Sequence, residues 1–595
     1  MPLITRRTFF IRTIPWFLAA ALIGLGAGAC SLQRLRRAEA QPPALYATEA
    51  RSDYGMVSTA SVEATRAAVE ILEQGGNAVD AAVAGAFALG VADPGGSGLG
   101  GMTYIVIALA DGRSVAIDGT AHAPVSVDLS QLAELKTAET LFGYKMAATP
   151  TTLATLALAL ERYGTLDLAQ ALAPAIEIGE SGYRLSQNYL AWTDLYLDQI
   201  LTSNYLRFVV LDQGLTIGKA GDRYCHPDMV NTLRRIAAEG TNCFYRGAIA
   251  TQIAADMARN GGFLTRVDLA RVRVRECRPL RSSYRDVEVL TFPPPGGGDQ
   301  VVEALNILET RPREFLAEDS VERLHLLIEA YRIAQADLTL PVPGNSGNTF
   351  FDLPYLSKIH AKERARLISP GHAIPESVLD PRAVAKPAGE HTVQVSVADR
   401  HGNMVSLTQT LGRLFGNKVA TPGLGFPYSV FLESFDYEDP ASSAFLRPGS
   451  PCRSDMAPTI VLQDGVPVLA LGSAGSNLIP PIVTGVISNV VDRRMGTRDA
   501  VVAPRTLWGG HDPVQVQIEI AAPQTDADAD GLLSMGFPDV HRLHFPPEAI
   551  PLARFGAVNA VAFDPQTGRF TGVGDARRNG YAAGPRVGPM GPPSR

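Results

Sequence analysis

The chain has 595 residues, of which 46% are hydrophobic and 19% are charged, so it can build large cores and is not a disordered protein. Its formal net charge of -7 provides no basic footprint, which argues against nucleic acid as a partner. Five cysteines in this length exclude a disulfide-dense scaffold.

The first forty residues predict an export signal. Arg6 and Arg7 stand in a pattern similar to a twin-arginine signal, and an apolar stretch from Ile14 to Ala29 follows. This stretch is shorter than the roughly 20 residues of a membrane-spanning helix, although a single anchoring helix stays open. Cleavage after Ala40 gives a soluble periplasmic or secreted protein, whereas a lipoprotein-like cleavage before Cys30 gives a lipid-anchored one. We expect soluble export.

The remaining chemistry-bearing residues give few signals by spacing alone. The cysteines after the signal show no C-x-x-C pair, and the ten histidines show no metal-ligand spacing. We therefore expect no metal and no organic cofactor. Disulfide pairing and buried free thiols both stay open for Cys225, Cys243, Cys277 and Cys452.

The predicted elements begin with a helix from Ser61, its N-cap, to Gln74 and a second, almost wholly apolar helix over 77–91, which should be buried. A strand pair over 102–110 and 113–117 comes next. Further helices are predicted at 151–163, 166–181, 300–308, 321–340, 479–491 and 497–503, and hairpins at 393–398/404–410, 459–462/466–471 and 557–563/570–573. Helices outside and hairpins at the centre favour a layered α/β fold with antiparallel strands.

A glycine-rich loop separates the second helix from the first strand pair. Gly96, Gly98 and Gly101 match G-x-G-x-x-G, but a dinucleotide site needs a strand before this motif and a helix after it. Here the order is reversed. We therefore interpret the loop as a place where the backbone approaches another segment closely.

A short acidic segment, Asp526–Gly531, looks like the start of a calcium-binding loop. Phe537 stands at the twelfth position, where such a loop needs a bidentate glutamate. We predict a solvated acidic insertion here, and a disordered tail after Gly584.

Eight stretches, in order, give the chain a recognisable resemblance. It resembles the γ-glutamyltranspeptidases, which are N-terminal-nucleophile hydrolases, over roughly residues 50–580. The matching stretches are GMVSTASVEATRAAVEILEQGGNAVDAAVA, DPGGSGLGGM, FYRGAIATQIA, YRDVEVLTFPPPGGGDQ, HTVQVSVADRHGNMVSLTQT, MAPTIVLQDG, LGSAGS and GDARRNG.

The resemblance implies a four-layer αββα fold and a precursor that cuts itself before a threonine. The family's motif falls on Thr392-Val393-Gln394-Val395-Ser396 and onward, so Thr392 is the implied nucleophile and His391–Thr392 the implied cleavage site. The implied pieces, which stay associated, are a large subunit (41–391) and a small subunit (392–595). A threonine hydroxyl is a weak nucleophile without a base, and cleavage would supply its own α-amine as that base.

The resemblance also implies supporting catalytic groups. Thr410 falls on a second threonine that hydrogen-bonds the nucleophile, and Gly475-Ser476 fall on a Gly-Gly pair whose N–H groups form the oxyanion hole. Ordinary strand packing for Thr410 and a plain turn for the pair are the alternatives.

The substrate side departs from the family. Thr120 replaces the arginine that grips the glutamyl carboxylate, and a threonine cannot make the two parallel hydrogen bonds of a guanidinium. A serine pair becomes Ser454-Asp455, which places a negative charge where a carboxylate would bind. Glu433 falls near the aspartate that holds the α-amine. Arg413 either substitutes as a carboxylate partner or is a surface arginine.

These departures lead to one function hypothesis and two rivals. We expect an autoprocessing amidohydrolase or acyltransferase, of the γ-glutamyltransferase and glutathione hydrolase type, that acts on a small acyl amide or peptide whose acyl group is not γ-glutamyl. One rival is an exported, catalytically silent binding or scaffold protein of the same fold. The other, a nucleotide-dependent oxidoreductase, rests on the glycine loop alone.

Overall fold

The computed structural model describes residues 48–137, 142–212, 214–338, 353–379, 391–442, 444–511, 514–520, 523–544 and 555–586. The predicted export signal with Cys30, and most of the tail after Gly584, lie outside these ranges. Within them, no helix has the length and apolar character needed to cross a membrane.

The strands are numbered in chain order. They are β1 Thr48–Ser52, β2 Gly55–Thr59, β3 Met102–Ala108, β4 Ser114–Gly119, β5 Tyr183–Arg184, β6 Arg223–Tyr224, β7 Arg275–Cys277, β8 Leu280–Tyr284, β9 Val287–Thr291, β10 Val393–Asp399, β11 Met404–Thr410, β12 Thr459–Gln463, β13 Val466–Ala474, β14 Thr506–His511, β15 Val514–Ile520, β16 Val540–His544, β17 Ala557–Asp564, β18 Arg569–Gly574 and β19 Tyr581–Ala583.

The α-helices are numbered in the same way. They are α1 Val62–Glu73, α2 Ala78–Ala92, α3 Leu129–Thr137, α4 Thr152–Tyr163, α5 Leu168–Ser181, α6 Gln187–Leu195, α7 Leu197–Thr202, α8 Leu206–Val210, α9 Pro227–Glu239, α10 Asn242–Tyr245, α11 Ala248–Arg259, α12 Arg266–Ala270, α13 Gly298–Leu308, α14 Arg313–Ala317, α15 Val321–Asp337, α16 Lys358–Arg364, α17 Ile479–Val491, α18 Thr497–Val502 and α19 Pro523–Ser534.

Two seven-stranded antiparallel sheets form the centre. Their strand orders are β1-β18-β17-β13-β12-β9-β8 and β19-β2-β10-β11-β3-β4-β7. Strands β10 and β11 of one sheet pack against β13 of the other. Helices α1 and α2 cover the second sheet, whereas α13 and α17 cover the first. The predicted αββα fold and the three later hairpins are confirmed.

Local sequence explains the helices that cover the second sheet. Ser61 caps α1 and accepts hydrogen bonds from the N–H groups of Glu63 and Ala64. Asn77 caps α2 in a capping box with Asp80. Because α2 is apolar on every side, it is buried along nearly its whole length, as its sequence predicts.

The acidic segment, which the sequence predicts as a solvated insertion, is helical. Asp526–Gly531 lies inside helix α19, because Ala529 and Leu532 are buried against the core and hold the segment helical. Its acidic side chains include Asp526, which pairs with Arg542 at 3.4 Å.

Candidate active site

The candidate nucleophile lies at the head of a central strand. Thr392 immediately precedes β10, and Thr410 is the last residue of β11, which pairs with β10 in an antiparallel register. Both threonines are buried, with 4% and 3% of their surface exposed. The hairpin therefore brings together two residues that lie eighteen positions apart in sequence.

The hydroxyl of Thr410 is the centre of a hydrogen-bonded group. It donates to the carbonyl oxygen of His391 at 2.8 Å. It accepts from the hydroxyl of Thr392 at 3.3 Å and from the N–H of Gly412 at 2.9 Å. The carbonyl of the implied cleavage site is thus polarised by a hydroxyl that also contacts the implied nucleophile.

His391, on the other side of the implied cleavage site, is buried without polar compensation. Among the described residues neither ring nitrogen has a hydrogen-bond partner. Trp192 packs edge-on against the ring, with centroids 4.3 Å apart. Burial, and secondarily the positive charge of Arg578, hold the pKa of His391 well below its usual value, so the ring is neutral.

The glycine-rich loop borders this group, and its prediction as a place of close backbone approach is confirmed. A Cβ on Gly96 would lie 2.5 Å from Nδ1 of His391. A Cβ on Gly101 would collide with the carbonyl oxygen of Thr410, and one on Gly100 would collide with Pro427. The loop is thus fitted to the cleavage region, between helix α2 and strand β3.

The implied oxyanion-hole residues follow β13, the strand that faces β10. A Cβ on Gly472 of β13 would collide with the side chain of Gln394 in β10, so the two strands lie in close contact. Gly475 has φ 138° and Ser476 has φ 57°. Ser476 therefore adopts the left-handed conformation that favours glycine, which is where the resemblance places a glycine.

Thr120 is buried and already occupied by polar partners. Its hydroxyl donates to Asp118 at 2.6 Å and lies 3.0 Å from the hydroxyl of Tyr104. Asp118 in turn pairs with Arg275 at 3.1 Å. Because the Thr120 hydroxyl donates its proton to Asp118, it is poorly suited to donate a hydrogen bond to a substrate carboxylate.

Arg413 and Glu433, which the sequence treats separately, form one ion pair. Their Nε and Oε2 atoms lie 2.7 Å apart. Glu433 is almost fully buried, whereas the Arg413 side chain is 34% exposed. Arg413 lies three positions after Thr410, so this pair adjoins the threonine group along the chain.

The pair Ser454-Asp455 lies against the glycine-rich start of helix α13. The N–H of Ser454 donates to the carbonyl of Pro295 at 3.1 Å, and Oδ1 of Asp455 accepts from Nε2 of Gln300 at 2.9 Å. The negative charge that the sequence predicts at this position is therefore tethered to α13.

Sequence reasoning missed Trp192 and Arg578 near His391, and also Asp93, whose pKa responds to the charge of Arg578. Arg578 lies over the Trp192 ring, 5.6 Å from its centroid. Burial raises the pKa of Asp93 to about 7, although Arg578 opposes the shift. Arg578 belongs to the GDARRNG stretch, and Asp93 precedes the glycines of the loop, so both lay in matched stretches. Trp192 lay in none of them.

A buried threonine at the head of a central strand, between two facing antiparallel sheets and outer helix layers, defines an N-terminal-nucleophile hydrolase fold. The sequence profile of the family described as gamma-glutamyltranspeptidase matches residues 64–585. The chain belongs to this family. Membership places it among enzymes that hydrolyse or transfer acyl amides and are made as precursors.

Relatives with different names share this architecture. Acylase ACY 1 proenzyme of Pseudomonas sp. (strain V22) is 34% identical, covering 88% of this chain and 92% of the relative. Glutathione hydrolase proenzyme of Escherichia coli (strain K12) is 30% identical, covering 82% and 88%. The crystal structure of cephalosporin acylase from Bacillus halodurans aligns with a TM-score of 0.79 at 28% identity, covering 92% of this chain and 99% of that chain.

The sequence left open whether four cysteines form disulfides, and the structure describes all four. Cys225, Cys243, Cys277 and Cys452 are free thiols, of which Cys225 is exposed while Cys243 and Cys452 are buried.

Proposed function

We propose that this chain is exported, cleaves its own His391–Thr392 bond, and then uses Thr392 to hydrolyse or transfer acyl amides whose acyl group is not γ-glutamyl. The observation that carries the proposal is the position of the Thr410 hydroxyl between the Thr392 hydroxyl and the His391 carbonyl oxygen.

The self-cleavage step follows from this arrangement. The hydroxyl oxygen of Thr392 attacks the carbonyl carbon of His391, and negative charge develops on the oxygen that Thr410 already contacts. Collapse of that intermediate breaks the His391–Thr392 C–N bond, the Thr392 hydroxyl proton passes to the released nitrogen, and an ester on Thr392 with a free α-amine remains. Water then hydrolyses the ester. A hydrogen bond aimed at developing charge commonly lowers such a barrier by about 3 kcal/mol.

Burial of the neutral His391 ring is unfavourable in the uncut chain, and this favours a rearrangement once the bond is cleaved. A buried polar group without a partner costs about 1–3 kcal/mol, and neither ring nitrogen of His391 has a partner within the part of the chain that the structure describes. Once the bond is cut, the new carboxyl end can move His391 away from Trp192 and release this penalty.

Turnover uses the same hydroxyl with a new base. The free α-amine of Thr392 takes the hydroxyl proton as the oxygen attacks the substrate amide. The N–H groups of Gly475 and Ser476 stabilise the oxyanion. The acyl group stays on Thr392 until water or an amine accepts it, and the two subunits remain associated around the shared sheets.

The residues that the resemblance assigns to substrate binding, Thr120, Arg413, Glu433, Ser454 and Asp455, are called the substrate wall below. Their contacts support an acyl group other than γ-glutamyl. Thr120 is held by Asp118, Arg413 is paired with Glu433, and Asp455 adds negative charge. A glutamyl α-carboxylate would meet these groups without a guanidinium at position 120 to grip it. The relatives named acylase are compatible with an acyl group other than γ-glutamyl. The relatives named glutathione hydrolase are compatible with the shared hydrolysis of amides.

Matched anilides test this specificity. γ-Glutamyl, glutaryl and butyryl p-nitroanilides share a chain length but differ in the α-amine and the carboxylate. We expect the butyryl anilide, which carries no carboxylate at this position, to give a higher kcat/KM than the γ-glutamyl anilide, with all activity lost in Thr392→Ala. A clear preference for the γ-glutamyl anilide would contradict the specificity, and no turnover of any amide would favour the silent binding protein.

A further inference from the structure

A second cluster of ionisable groups lies in the helix layer outside the first sheet. Helices α13, α15 and α16 contribute Glu303, Asp337 and His360, whose ligand atoms all lie within 4.8 Å of one another. Nε2 of His360 lies 2.6 Å from Oδ2 of Asp337 and 3.6 Å from Oε1 of Glu303. No spacing rule could find this cluster, because 34 and 23 residues separate its members.

Glu303 is the unusual member of the cluster. It is fully buried, and among the described residues neither carboxylate oxygen has a hydrogen-bond partner. A buried carboxylate without a partner is costly, so such groups are normally paired or bind a metal. A proton or a cation must therefore compensate the buried carboxylate of Glu303.

The groups around the cluster suit a cation. Oδ1 of Asp337 accepts a hydrogen bond from Arg364, which leaves Oδ2 facing His360 and Glu303. A hydrogen bond to the second oxygen of a metal-binding carboxylate is the usual outer support of such a site. The His360 side chain is 20% exposed, which gives an ion a route from solvent.

We propose that Glu303, Asp337 and His360 bind a zinc ion. One imidazole nitrogen and two carboxylate oxygens from three helices form a ligand set that zinc accepts, with a water completing its shell. His360 then carries its proton on Nδ1 and binds through Nε2. The small separation between His360 and Asp337 opens by a side-chain shift when the ion enters between them.

The position of the site indicates a structural role. Gln300, which bonds Asp455 on the substrate wall, lies three residues before Glu303 on α13. An ion that fixes α13 to α15 and α16 therefore also fixes the helix that tethers Asp455. No reaction step passes through the ion.

Metal content of the purified, untagged protein tests the proposal. After chelator treatment, the wild type is loaded with zinc chloride, freed of excess metal by gel filtration and analysed by mass spectrometry. We expect about one zinc per chain and a raised thermal unfolding midpoint. Glu303→Gln and His360→Gln should each weaken zinc binding by at least roughly tenfold. His541→Gln is the matched control, because His541 pairs only with exposed Asp539 in the described structure, at 2.8 Å.

The variants also separate the ion from a shared proton. In chelator, Glu303→Gln should unfold no earlier than the wild type, because it removes an uncompensated buried carboxylate; zinc should then stabilise the wild type alone. The proposal is overturned if the wild type retains no zinc, or if Glu303→Gln and His360→Gln retain as much as His541→Gln. Neither result bears on Thr392, so the proposed function is tested separately.

Discussion

The threonine group and the proposed substrate wall are held in place in different ways. Thr392 immediately precedes β10 and Thr410 ends β11, and the register of these neighbouring strands in the middle of a sheet sets their separation. Thr120, Arg413 and Asp455 instead lie in loops, and each is tied to its own partner. Strand register preserves the chemistry, whereas loop side chains can change the substrate without disturbing it.

The largest expected effect is the slowing of self-cleavage when Thr410 is substituted. Thr410→Val removes the hydrogen bond to the His391 carbonyl, and we expect self-cleavage to slow by about 10²–10³. Thr410→Ser should retain most of the rate. The rate is measured as the appearance of the two fragments over time after synthesis of the chain.

Thr408→Val provides a matched control on the same strand. Thr408 is equally buried, but its hydroxyl donates to Gln394 at 2.6 Å and not to the cleavage site. Equal slowing in the Thr408 and Thr410 variants would mean that strand packing, and not the contact with the carbonyl, controls cleavage.

A smaller effect, on the pH dependence of stability, is expected from the protonation of Asp93. Burial raises the pKa of Asp93 to about 7 from a usual value of 3.8, so the folded chain holds a proton that the unfolded chain releases. The stability this contributes is complete below about pH 4 and is lost as the pH rises through about 7, by at most ~1.4 kcal/mol per pH unit.

Asp93→Asn should therefore remove this loss, so that its thermal unfolding midpoint falls less, or rises more, between about pH 4 and 7 than that of the chain with Asp93. The uncut Thr392→Ala chain is the background, so that one species is compared throughout. Asp564→Asn, at an exposed position, is the control. A midpoint of the Thr392→Ala chain that changes across this interval in the same way with Asp93 and with Asn at this position would contradict a protonated Asp93.

The smallest effect concerns the ion pair of the substrate wall. Arg413→Met removes the guanidinium that pairs with the buried Glu433 carboxylate, and we expect a loss of about 1–2 kcal/mol, less than for a fully buried pair because Arg413 is partly exposed. Arg413→Met/Glu433→Gln should regain part of it. Unfolding midpoints measure both variants.

The same variants sharpen the contrast with the threonine group. Self-cleavage should proceed at the wild-type rate in Arg413→Met and in the double variant, while the ratio of activities on the anilide panel shifts. A large loss of cleavage in either variant would show that the wall and the threonine group are not separable.

Much of the fold could be predicted because its signals are local. Ser61 and Asn77 mark helix starts, and alternation around short turns marks the hairpin that carries Thr392 and Thr410. Helix α19 was missed because burial of Ala529 and Leu532 outweighs the loop-like Asp-Ala repeat. Burial by distant segments leaves no local pattern.

The candidate site likewise has one part that could be predicted from the sequence and another that could not. The resemblance points to Thr392 and Thr410, which the strands bring into contact, and to Gly475, which follows the strand that faces β10. The Arg413–Glu433 pair, the packing of Trp192 on His391 and the gathering of Glu303 with His360 are contacts between segments distant in sequence. No residue pattern indicates them, because side chains on separate loops and helices meet only once the layers are packed.

The intact mass of the purified protein under denaturing conditions, beside that of Thr392→Ala, tests the central claim most directly. The account predicts two wild-type fragments, the smaller beginning at Thr392 and carrying about a third of the 63.4 kDa chain mass, and a single uncut chain in the variant. A single uncut wild-type chain, or cleavage that persists in Thr392→Ala, would contradict it.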